Sequence, residues 1–305
     1  MTIKNIGLIG LGAIGAPLAV ALHHLDPEHF YIIAEGKRKE RLLQGVMIND
    51  RCYHFPILEP QQHKTLDLIL VTTKYNQLST AISDIQNFVG PQTRIIPFLN
   101  GITAEEKLAA IYGEEKIIYG FVKIASMNID HHITYQNAGC YYLGHPVNQH
   151  YDSDIDSIHE LFNKAGIKHL IPEDMLVQKW FKYISNVSEN QVSAILDIPF
   201  GAWNASNHAN ALREMVAYET WLIAQAKDIR IPQQWITKQR SALSKLPYHN
   251  CCSMVQDLRS HRTTEVEMFA GEMIRMGKQY HIPTPYNEML YHMIKVLEEK
   301  NEGQI

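Results

Sequence analysis

A glycine-rich segment near the start of this 305-residue chain constrains its fold more than any other feature. The segment reads Gly10-Leu11-Gly12-Ala13-Ile14-Gly15, a G-x-G-x-x-G pattern. It follows an apolar run at 3–9 that predicts a buried strand, and it opens a predicted helix at 13–25. A second apolar run at 30–34 completes a strand–helix–strand unit, which is the context that a dinucleotide-binding loop requires.

Each glycine of this pattern has a physical role beside a pyrophosphate. Gly10 permits a tight turn, Gly12 lets the backbone approach the phosphates, and Gly15 allows the helix to pack closely on the strand. The helix N-terminus adds free N–H groups and a partial positive charge. The residues therefore predict dinucleotide binding, with a purely structural glycine-rich turn as the alternative.

Glu35, which ends the second predicted strand, is the residue expected to choose the cofactor. A carboxylate at this position accepts hydrogen bonds from a ribose diol and repels a 2′-phosphate, which favours NAD. Lys37, Arg38 and Arg41 follow it and provide cations that suit a 2′-phosphate, which favours NADP. These residues alone leave both cofactors open.

The pattern of predicted elements changes at Pro172. Before it, apolar runs alternate with amphipathic stretches, and residues 131–143 predict a hairpin with its turn at Asn137-Ala138-Gly139. After it, five helices are predicted, at 173–197, 206–228, 232–244, 262–280 and 284–299. We therefore predict a Rossmann-type, doubly wound α/β domain at 1–171, with a mostly parallel sheet covered on both faces, and an all-α domain at 172–305.

Composition excludes several classes of protein. Hydrophobic residues make up 46% and charged residues 20%, which is typical of a globular chain and excludes disordered and collagen-like sequences. A net charge of −4 gives no bulk electrostatic reason to bind nucleic acid or an anionic membrane. No apolar run reaches the ~20 residues of a membrane helix. The 4 cysteines form no C-x-x-C pair and the 16 histidines match no metal spacing, so we predict a reduced, cytoplasmic protein without a metal.

Polar residues at helical spacing lie in the first predicted helix after Pro172. Lys182, Asn186 and Asn190 are spaced i, i+4, i+8, so an α-helix would place them on one face. That face is either the wall of a binding cleft or a solvated surface, and spacing alone does not decide between them. Ser253 and Glu265 follow later in the chain, and Glu265 taken singly is typical of a helix start, where carboxylates suit the positive end of the dipole.

Two further polar residues follow predicted strands in the first half. Lys74 comes after Val71-Thr72-Thr73, and Asn100 comes after Phe98-Leu99. Ligands bind at the carboxyl ends of parallel strands in this architecture, so both residues are candidates for a binding site.

Taken together, these segments resemble the ketopantoate reductases over nearly the whole chain. The glycine-rich loop, Val71-Thr72-Thr73-Lys74 and Asn100-Gly101 are similar to that family's fingerprint, its V-T/K-x-K strand end and its N-G pair. Trp180-Phe181-Lys182 with Asn186 and Asn190 resembles its W-x-K-x-x-x-N-x-x-x-N helix. Ser253-Met254-Val255-Gln256-Asp257 with Arg262 and Thr264-Glu265 resembles its S-M-x-Q-D…R-x-T-E segment.

The resemblance implies NAD(P)H-dependent reduction of a 2-oxo acid, foremost 2-dehydropantoate to (R)-pantoate in pantothenate and coenzyme A biosynthesis. It implies NADP(H) as the usual cofactor, Lys182 as the general acid and Glu265 as a second catalytic residue that holds hydroxyl groups. The substrate-binding residues that it implies are Asn100, Asn186, Asn190 and Ser253. The cofactor-binding residues that it implies are Gly10, Leu11, Gly12, Ala13, Ile14, Gly15, Glu35, Lys37, Lys74, Asn100 and Glu265.

Three positions depart from the family pattern. Glu35 stands where the family often has a cation, which keeps NAD(H) open. Phe200, before Gly201, stands where some members have a substrate-side asparagine, and Gln191 stands where proline is common. These departures leave the hydride chemistry intact and keep a different 2-oxo acid open as the substrate.

Two other functions fit parts of the sequence. A 3-hydroxyacid dehydrogenase also uses a Lys-x-x-x-Asn helix, but it usually has a glycine-rich stretch before that lysine, and 174–178 has none. A non-catalytic dinucleotide sensor would keep the glycine loop and would be unaffected by replacing Lys182 with alanine. A homodimer is also left open, with five apolar residues as either a dimer face or core: Met254, Val255, Met268, Phe269 and Met273.

Overall fold

Strands and helices alternate through the first half of the chain. The computed structural model describes residues 2–129, 132–243 and 247–305, and the chain divides into two compact units, Met1–Met175 and Leu176–Ile305. The strands of the first unit are β1 (Ile6–Ile9), β2 (Phe30–Ile33), β3 (Val46–Ile48), β4 (Arg51–Tyr53), β5 (Ile57–Leu58), β6 (Leu66–Val71), β7 (Val89–Pro97), β8 (Tyr119–Ile129), β9 (His132–Gly144) and β10 (His169–Leu170). Its helices are α1 (Gly15–Leu25), α2 (Gly36–Leu43), α3 (Leu78–Asp84), α4 (Ala104–Tyr112) and α5 (Ser153–Lys164), with 3₁₀ turns at Tyr75–Gln77, Gln86–Phe88 and Glu114–Lys116.

Five of these strands form a parallel sheet that is covered on both faces. Their order is β5-β2-β1-β6-β7, with the ends of β2 and β6 level with the end of β1. Alternate side chains of β6 enter different apolar clusters: Leu68 and Leu70 join residues of α1 and α5, whereas Ile69 and Val71 join residues of α3 and α4. This arrangement confirms the predicted Rossmann-type, doubly wound fold, in which central strands are apolar on both sides.

A second sheet of the first unit is mixed, with β8 and β9 antiparallel, and this was not predicted. The predicted hairpin at 131–143 is wrong, because β9 continues through the expected turn; residue 131 itself lies outside the described residues. Gly139 has a φ of +75°, and the register shifts between Lys123 and Ala125 on the opposite strand. A Cβ on Gly139 would lie 2.6 Å from Lys123 O, so this glycine accommodates an irregularity within the strand pair and not a turn.

The described residues of the second unit form helices. They are α6 (Met175–Ser185), α7 (Gln191–Leu196), α8 (Ala202–Ala205), α9 (Asn207–Ala226), α10 (Gln234–Leu243), α11 (Ser253–Arg259), α12 (Glu272–Tyr280) and α13 (Pro285–Asn301), with a first π segment at Asn186–Asn190 and a second π segment at Glu267–Gly271. The helix predicted at 173–197 is observed as one continuous helical path at 175–196, but it is not α-helical throughout, because the first π segment lies between α6 and α7. The helix predicted at 262–280 starts only at the second π segment, and residue 244 of a third prediction lies outside the described residues.

The apolar residues considered above as a dimer face lie in the core. Met254, Val255, Met268, Phe269 and Met273 are each at most 1% exposed. They are therefore unavailable to a second chain in the folded unit. Among the helices that the structure describes, none is both long enough and apolar enough to cross a membrane.

Candidate active site

The glycine-rich turn after β1 adopts a conformation that its glycines make possible. Gly10 has a φ of +99°, and a Cβ there would lie 2.5 Å from Thr73 N. Gly12 differs, because the nearest atom to its Cβ would be Gly10 O at 4.0 Å, so its Cα borders open space. At Gly15 a Cβ would lie 2.5 Å from Thr72 Oγ1. The three glycines thus suit the tight turn, the open approach and the close helix packing of a dinucleotide-binding loop.

Two side chains that the sequence analysis did not select hold this loop. Thr72 Oγ1 donates to Gly10 O at 2.8 Å, and the Tyr141 hydroxyl donates to Ile14 O at 3.0 Å. Burial raises the pKa of Tyr141, so this hydroxyl remains a donor. The position of Thr72, just before Lys74 at a strand end, was a usable signal. No signal in the sequence indicated the role of Tyr141, because it lies 127 positions from its partner Ile14.

The start of α1 is suited to an anion. Leu11, Ala13 and Ile14 form the half-buried turn before it, and Gly12 O accepts the first helical bond, from Ala16 N at 2.9 Å. The first turn of the helix carries no acidic side chain. The positive end of the helix dipole at this turn therefore suits a phosphate group.

The carboxyl ends of four parallel strands lie at one edge of the sheet. Gly10 directly follows β1, Glu35 comes just after β2, Lys74 just after β6 and Asn100 just after β7. Because these strands are parallel neighbours, their ends lie on the same side of the sheet, where nucleotides bind in this architecture. Lys74 is exposed and Asn100 is half-buried. The first unit thus brings these predicted site residues to one edge.

Glu35 and Arg38 already have partners within the first unit. Glu35 is exposed and accepts a hydrogen bond from Gln61 Nε2 at 2.6 Å. Arg38 donates to Gln77 Oε1 at 3.2 Å, and Lys37 is exposed to solvent. Glu35 and Arg38 are therefore directed to different neighbours.

One continuous helix of the second unit carries Lys182, Asn186 and Asn190, and it changes from an α-helix to a π-helix at Asn186. Lys182 and Asn186 are half-buried, and Asn190 is 8% exposed. The predicted α-helical spacing is wrong beyond Ser185, because Asn186–Asn190 forms the first π segment. Its wider turns change the angles between these side chains, and such segments frequently occur at functional sites.

Gln191, where the family commonly has proline, anchors the end of the first π segment. Its side-chain amide is fully buried, donates to Val187 O at 2.7 Å and reaches Asn287 Oδ1 at 3.4 Å. Asn287 in turn donates its side-chain amide to the Glu219 carboxylate at 2.8 Å. A proline has no such amide, so this departure adds a buried polar network that connects the segment to α9 and α13.

The chain that leads into α11 lies against the end of the first π segment. Cys252 donates its thiol to Asn190 O at 3.7 Å, and burial raises the pKa of Cys252 to about 12, which keeps the thiol protonated. Ser253 is exposed as the first residue of α11. Farther along this helix, Asp257 pairs with Arg262 at 2.9 Å. The structure therefore brings Ser253 near Asn190, as a shared binding site requires.

Glu265 is half-buried just before the second π segment. Its carbonyl accepts hydrogen bonds from Met268 N at 3.0 Å and Phe269 N at 3.1 Å. Tyr183, the neighbour of Lys182, donates its hydroxyl to Met268 O at 2.6 Å. The segment that carries Glu265 is thus connected to the helix that carries Lys182, although 85 positions separate the bonded residues.

A buried carboxylate holds the residue before Glu265. Thr264 donates both its backbone N–H and its hydroxyl to Glu298 Oε1, each at 2.7 Å, and Lys295 donates to Glu298 Oε2 at 2.7 Å. Burial alone would raise the pKa of Glu298, but the hydrogen bonds from Lys295 and Thr264 outweigh it and hold this pKa below its ordinary value. Glu298 therefore stays charged at neutral pH and fixes the approach to Glu265.

Phe200, the second departure from the family pattern, pairs with the chain that precedes Ser253. Its N–H donates to Asn250 O at 2.8 Å, and Gly201 N donates to Tyr248 O at 2.9 Å. The Tyr248 ring lies directly on Gly201, where a Cβ would clash with it. Two aromatic residues, Phe200 and Tyr248, thus belong to segments joined by backbone hydrogen bonds just before Ser253, a predicted substrate-binding residue.

Family models match most of the chain. The model for ketopantoate reductase PanE/ApbA matches residues 6–148, and the model for the ketopantoate reductase PanE/ApbA C terminal matches residues 174–298. A 2-dehydropantoate 2-reductase of Streptococcus pyogenes serotype M6 is 27% identical over 246 residues, which cover 80% of this chain and 80% of that protein.

Solved structures share the whole fold. A D-mandelate dehydrogenase solved with NADH and anilino(oxo)acetate has a TM-score of 0.86 at 20% identity and covers 98% of this chain and 99% of its own. A ketopantoate reductase of Staphylococcus aureus, described as dimeric, has a TM-score of 0.79 at 17% identity and covers 97% and 99%. At these identities the likeness establishes the fold alone.

Proposed function

The chain belongs to the ketopantoate reductase family, and on this premise we propose that it is an oxidoreductase that reduces a 2-oxo acid with NADH or NADPH. The observation that carries the proposal is that the five polar candidates of the second unit lie on segments that pack and hydrogen-bond together: Lys182, Asn186, Asn190, Ser253 and Glu265. The foremost substrate is 2-dehydropantoate, reduced to (R)-pantoate for pantothenate and coenzyme A synthesis, a role that belongs to the cytoplasm.

The first unit supplies residues that fit a nicotinamide dinucleotide. The open space beside Gly12 and the N-terminus of α1, which lacks acidic side chains, suit a pyrophosphate. Glu35, Lys37, Lys74 and Asn100 would contact the remaining parts of the cofactor. When bound, the reduced nicotinamide supplies a hydride to the carbonyl carbon of the substrate.

Lys182 is the group proposed to supply the proton. Negative charge develops on the carbonyl oxygen as its carbon is reduced, and an ammonium group stabilises that charge. Lys182 then donates a proton from Nζ to this oxygen and completes the hydroxyl group of the product. Its half-buried position on α6 limits the solvent that competes for the same oxygen.

The other polar residues are proposed to orient the substrate. The amides of Asn186 and Asn190 and the hydroxyl of Ser253 can donate to carboxylate oxygens and exchange hydrogen bonds with hydroxyl groups. Glu265 would accept from a substrate or ribose hydroxyl and would balance the charge of Lys182. These roles require no metal ion.

A different 2-oxo acid is the second candidate substrate, because two observations favour it. Phe200 is an aromatic residue at the position where some family members have a substrate-side asparagine, and the Tyr248 ring lies on the adjacent Gly201. The structurally similar D-mandelate dehydrogenase was solved with anilino(oxo)acetate, an oxo acid that carries an aromatic group. An aromatic 2-oxo acid is therefore the alternative to 2-dehydropantoate.

Nicotinamide absorbance measures the proposed reaction directly. The purified chain would be mixed with NADH or NADPH and, in separate reactions, with 2-dehydropantoate, phenylglyoxylate and 2-oxobutanoate as a small aliphatic control. Turnover of 2-dehydropantoate supports the foremost substrate, and turnover of phenylglyoxylate alone supports the aromatic alternative. Nucleotide binding without turnover of any 2-oxo acid would contradict the proposed activity and favour a dinucleotide sensor.

We also propose that the enzyme forms a homodimer, as the Staphylococcus aureus relative does. Tyr286, Met289, Met293 and Val296 recur at i, i+3, i+7, i+10 along α13 and are each between 41% and 50% exposed. An apolar row of this spacing suits a helix–helix contact. Light scattering should report a dimer for the wild type and a monomer for Met289→Glu/Met293→Glu. A dimer that survives this change would exclude the row as its interface.

A further inference from the structure

The adenine-side end of the proposed nucleotide site is built around one carboxylate. Glu35 lies just after β2 with an extended backbone, and Gln61 follows β5, the strand that pairs with β2 in parallel. Gln61 Nε2 donates to Glu35 Oε2 at 2.6 Å. An ionised carboxylate offers about four acceptor sites, so this bond orients Glu35 and leaves it able to accept from both hydroxyls of a ribose.

Two cations that follow Glu35 are engaged with other groups. Lys39 forms an ion pair with Glu59 at 2.6 Å, and Arg38 donates to Gln77 Oε1 at 3.2 Å. Lys37 is exposed at the start of α2. A phosphate clamp needs several cationic donors aimed at one point, and Arg38 and Lys39 are directed to different groups.

The charge near Glu35 also opposes a 2′-phosphate. Burial, followed by the neighbouring Glu35 carboxylate, raises the pKa of Asp84, while Arg38 acts in the opposite direction. The carboxylates of Glu35 and Asp84 are therefore close enough to interact, with Arg38 nearby. A 2′-phosphate placed against Glu35 would lie beside a carboxylate, and the two negative charges would repel each other.

We propose that Glu35, oriented by Gln61, makes this chain selective for NADH over NADPH. The inference rests on the proposed function, because it concerns the cofactor of the same reaction. It departs from the NADP(H) preference that the family resemblance implies. The selection acts on the adenine ribose, so it is independent of which 2-oxo acid is reduced.

Equilibrium binding to the full-length protein tests the proposal without turnover. Titration calorimetry would compare NADH with NADPH, and ADP-ribose with 2′-phospho-ADP-ribose, which lack the nicotinamide. We expect the ligand without the 2′-phosphate to bind more than about tenfold tighter in both pairs, since like charges in contact are costly. Tighter binding of the phosphorylated ligands, or equal binding, would overturn the inference and leave the proposed reductase function in place.

Variants then test whether Glu35 is the residue that discriminates between NADH and NADPH. Glu35→Gln removes the charge with little change in size and should reduce the NADH preference by about tenfold or more. Glu40→Gln makes the same change on the exposed surface of α2 and should leave the preference unchanged. Lys37→Ala/Arg38→Ala should not weaken NADPH selectively; if it does, these cations form the phosphate clamp and the inference is wrong. Failure of both nucleotides to bind the wild type would contradict the proposed function itself.

Discussion

The nucleotide edge of the first unit and the polar helices of the second unit place their residues by different means. At the edge, Gly10, Glu35 and Lys74 come just after parallel strands, so the sheet alone sets their positions. In the second unit, Asn190 and Glu265 depend on hydrogen bonds between segments 62 and 85 positions apart. The first arrangement follows from local sequence, whereas the second exists only when the whole unit has folded.

This difference suits the two proposed tasks. Cofactor binding needs backbone N–H groups and an open approach, which a glycine turn provides wherever a strand leads into a helix. Protonation and orientation of a small oxo acid need several side chains at fixed distances, and a packed helical unit can supply them. Variants should therefore affect binding in one region and chemistry in the other.

The strongest test of this division is Lys182→Met. Removing the proposed general acid should lower kcat by roughly 10²- to 10⁴-fold, while the Kd for the nucleotide, measured by calorimetry, stays within twofold of the wild type. Lys278→Met, at an exposed position of α12, is the matched control and should leave both quantities unchanged. A normal kcat for the Lys182 variant would mean that another residue is the general acid. Loss of nucleotide binding would contradict the assignment of binding to the first unit and of chemistry to the second.

Two alanine substitutions sharpen the comparison within the nucleotide edge. Gly10→Ala forces a Cβ to within 2.5 Å of Thr73 N at a φ of +99°, so it should destabilise the protein by roughly 1–3 kcal/mol. Gly12→Ala has space for its methyl group and should leave the melting temperature unchanged, yet raise the nucleotide Kd by about tenfold because the methyl blocks the approaching phosphates. Equal effects of the two changes on stability and on binding would show that the loop is only a structural turn.

The difference between locally determined and long-range contacts also explains how much of the fold and of the site could be predicted from the sequence. The βαβ pattern predicts the Rossmann-type sheet, and the strand ends predict which residues share its edge. The π segments could not be predicted, because an i→i+5 turn differs from an i→i+4 turn by one residue and depends on buried partners such as Asn287 for Gln191. Tyr141 and Glu298 were missed for a related reason, since their partners lie 127 and 34 positions away.

The wrong hairpin prediction at 131–143 has a different cause, which is the use of turn-forming residues within a strand. Asn137-Ala138-Gly139 carries the residues of a tight turn, and the predicted hairpin depended on them. The left-handed φ of Gly139 is real, but it is used within a long strand pair whose register shifts on the opposite strand. Residue preference therefore indicated the local backbone conformation, and the pairing of β8 with β9 decided which structure used it.

Tyr183→Phe tests whether the second unit depends on its long-range bonds. The change removes the hydroxyl that donates to Met268 O at 2.6 Å and leaves that buried carbonyl without this donor. We expect a loss of about 1–2 kcal/mol in stability and a lower kcat with unchanged nucleotide affinity. Tyr151→Phe, at an exposed tyrosine of the first unit, is the control. If Tyr183→Phe lowers stability without changing kcat, this bond supports the fold and does not position the site.

The smallest predicted change in the free energy of unfolding is at Glu298, and this change should depend on pH. Because the Glu298 pKa is held below its ordinary value of 4.5, this group stabilises the folded unit fully above pH 4.5 and loses that contribution as pH falls through the lowered pKa. Glu298→Gln weakens the hydrogen bonds to Thr264 and Lys295 and should cost about 1 kcal/mol at pH 7. Urea unfolding from pH 7 to pH 3 should show the difference from the wild type shrinking below pH 4.5, whereas Glu299→Gln should show none. A difference that is constant with pH would mean that the Glu298 charge does not hold the segment before Glu265, and the second unit would then rely on packing alone.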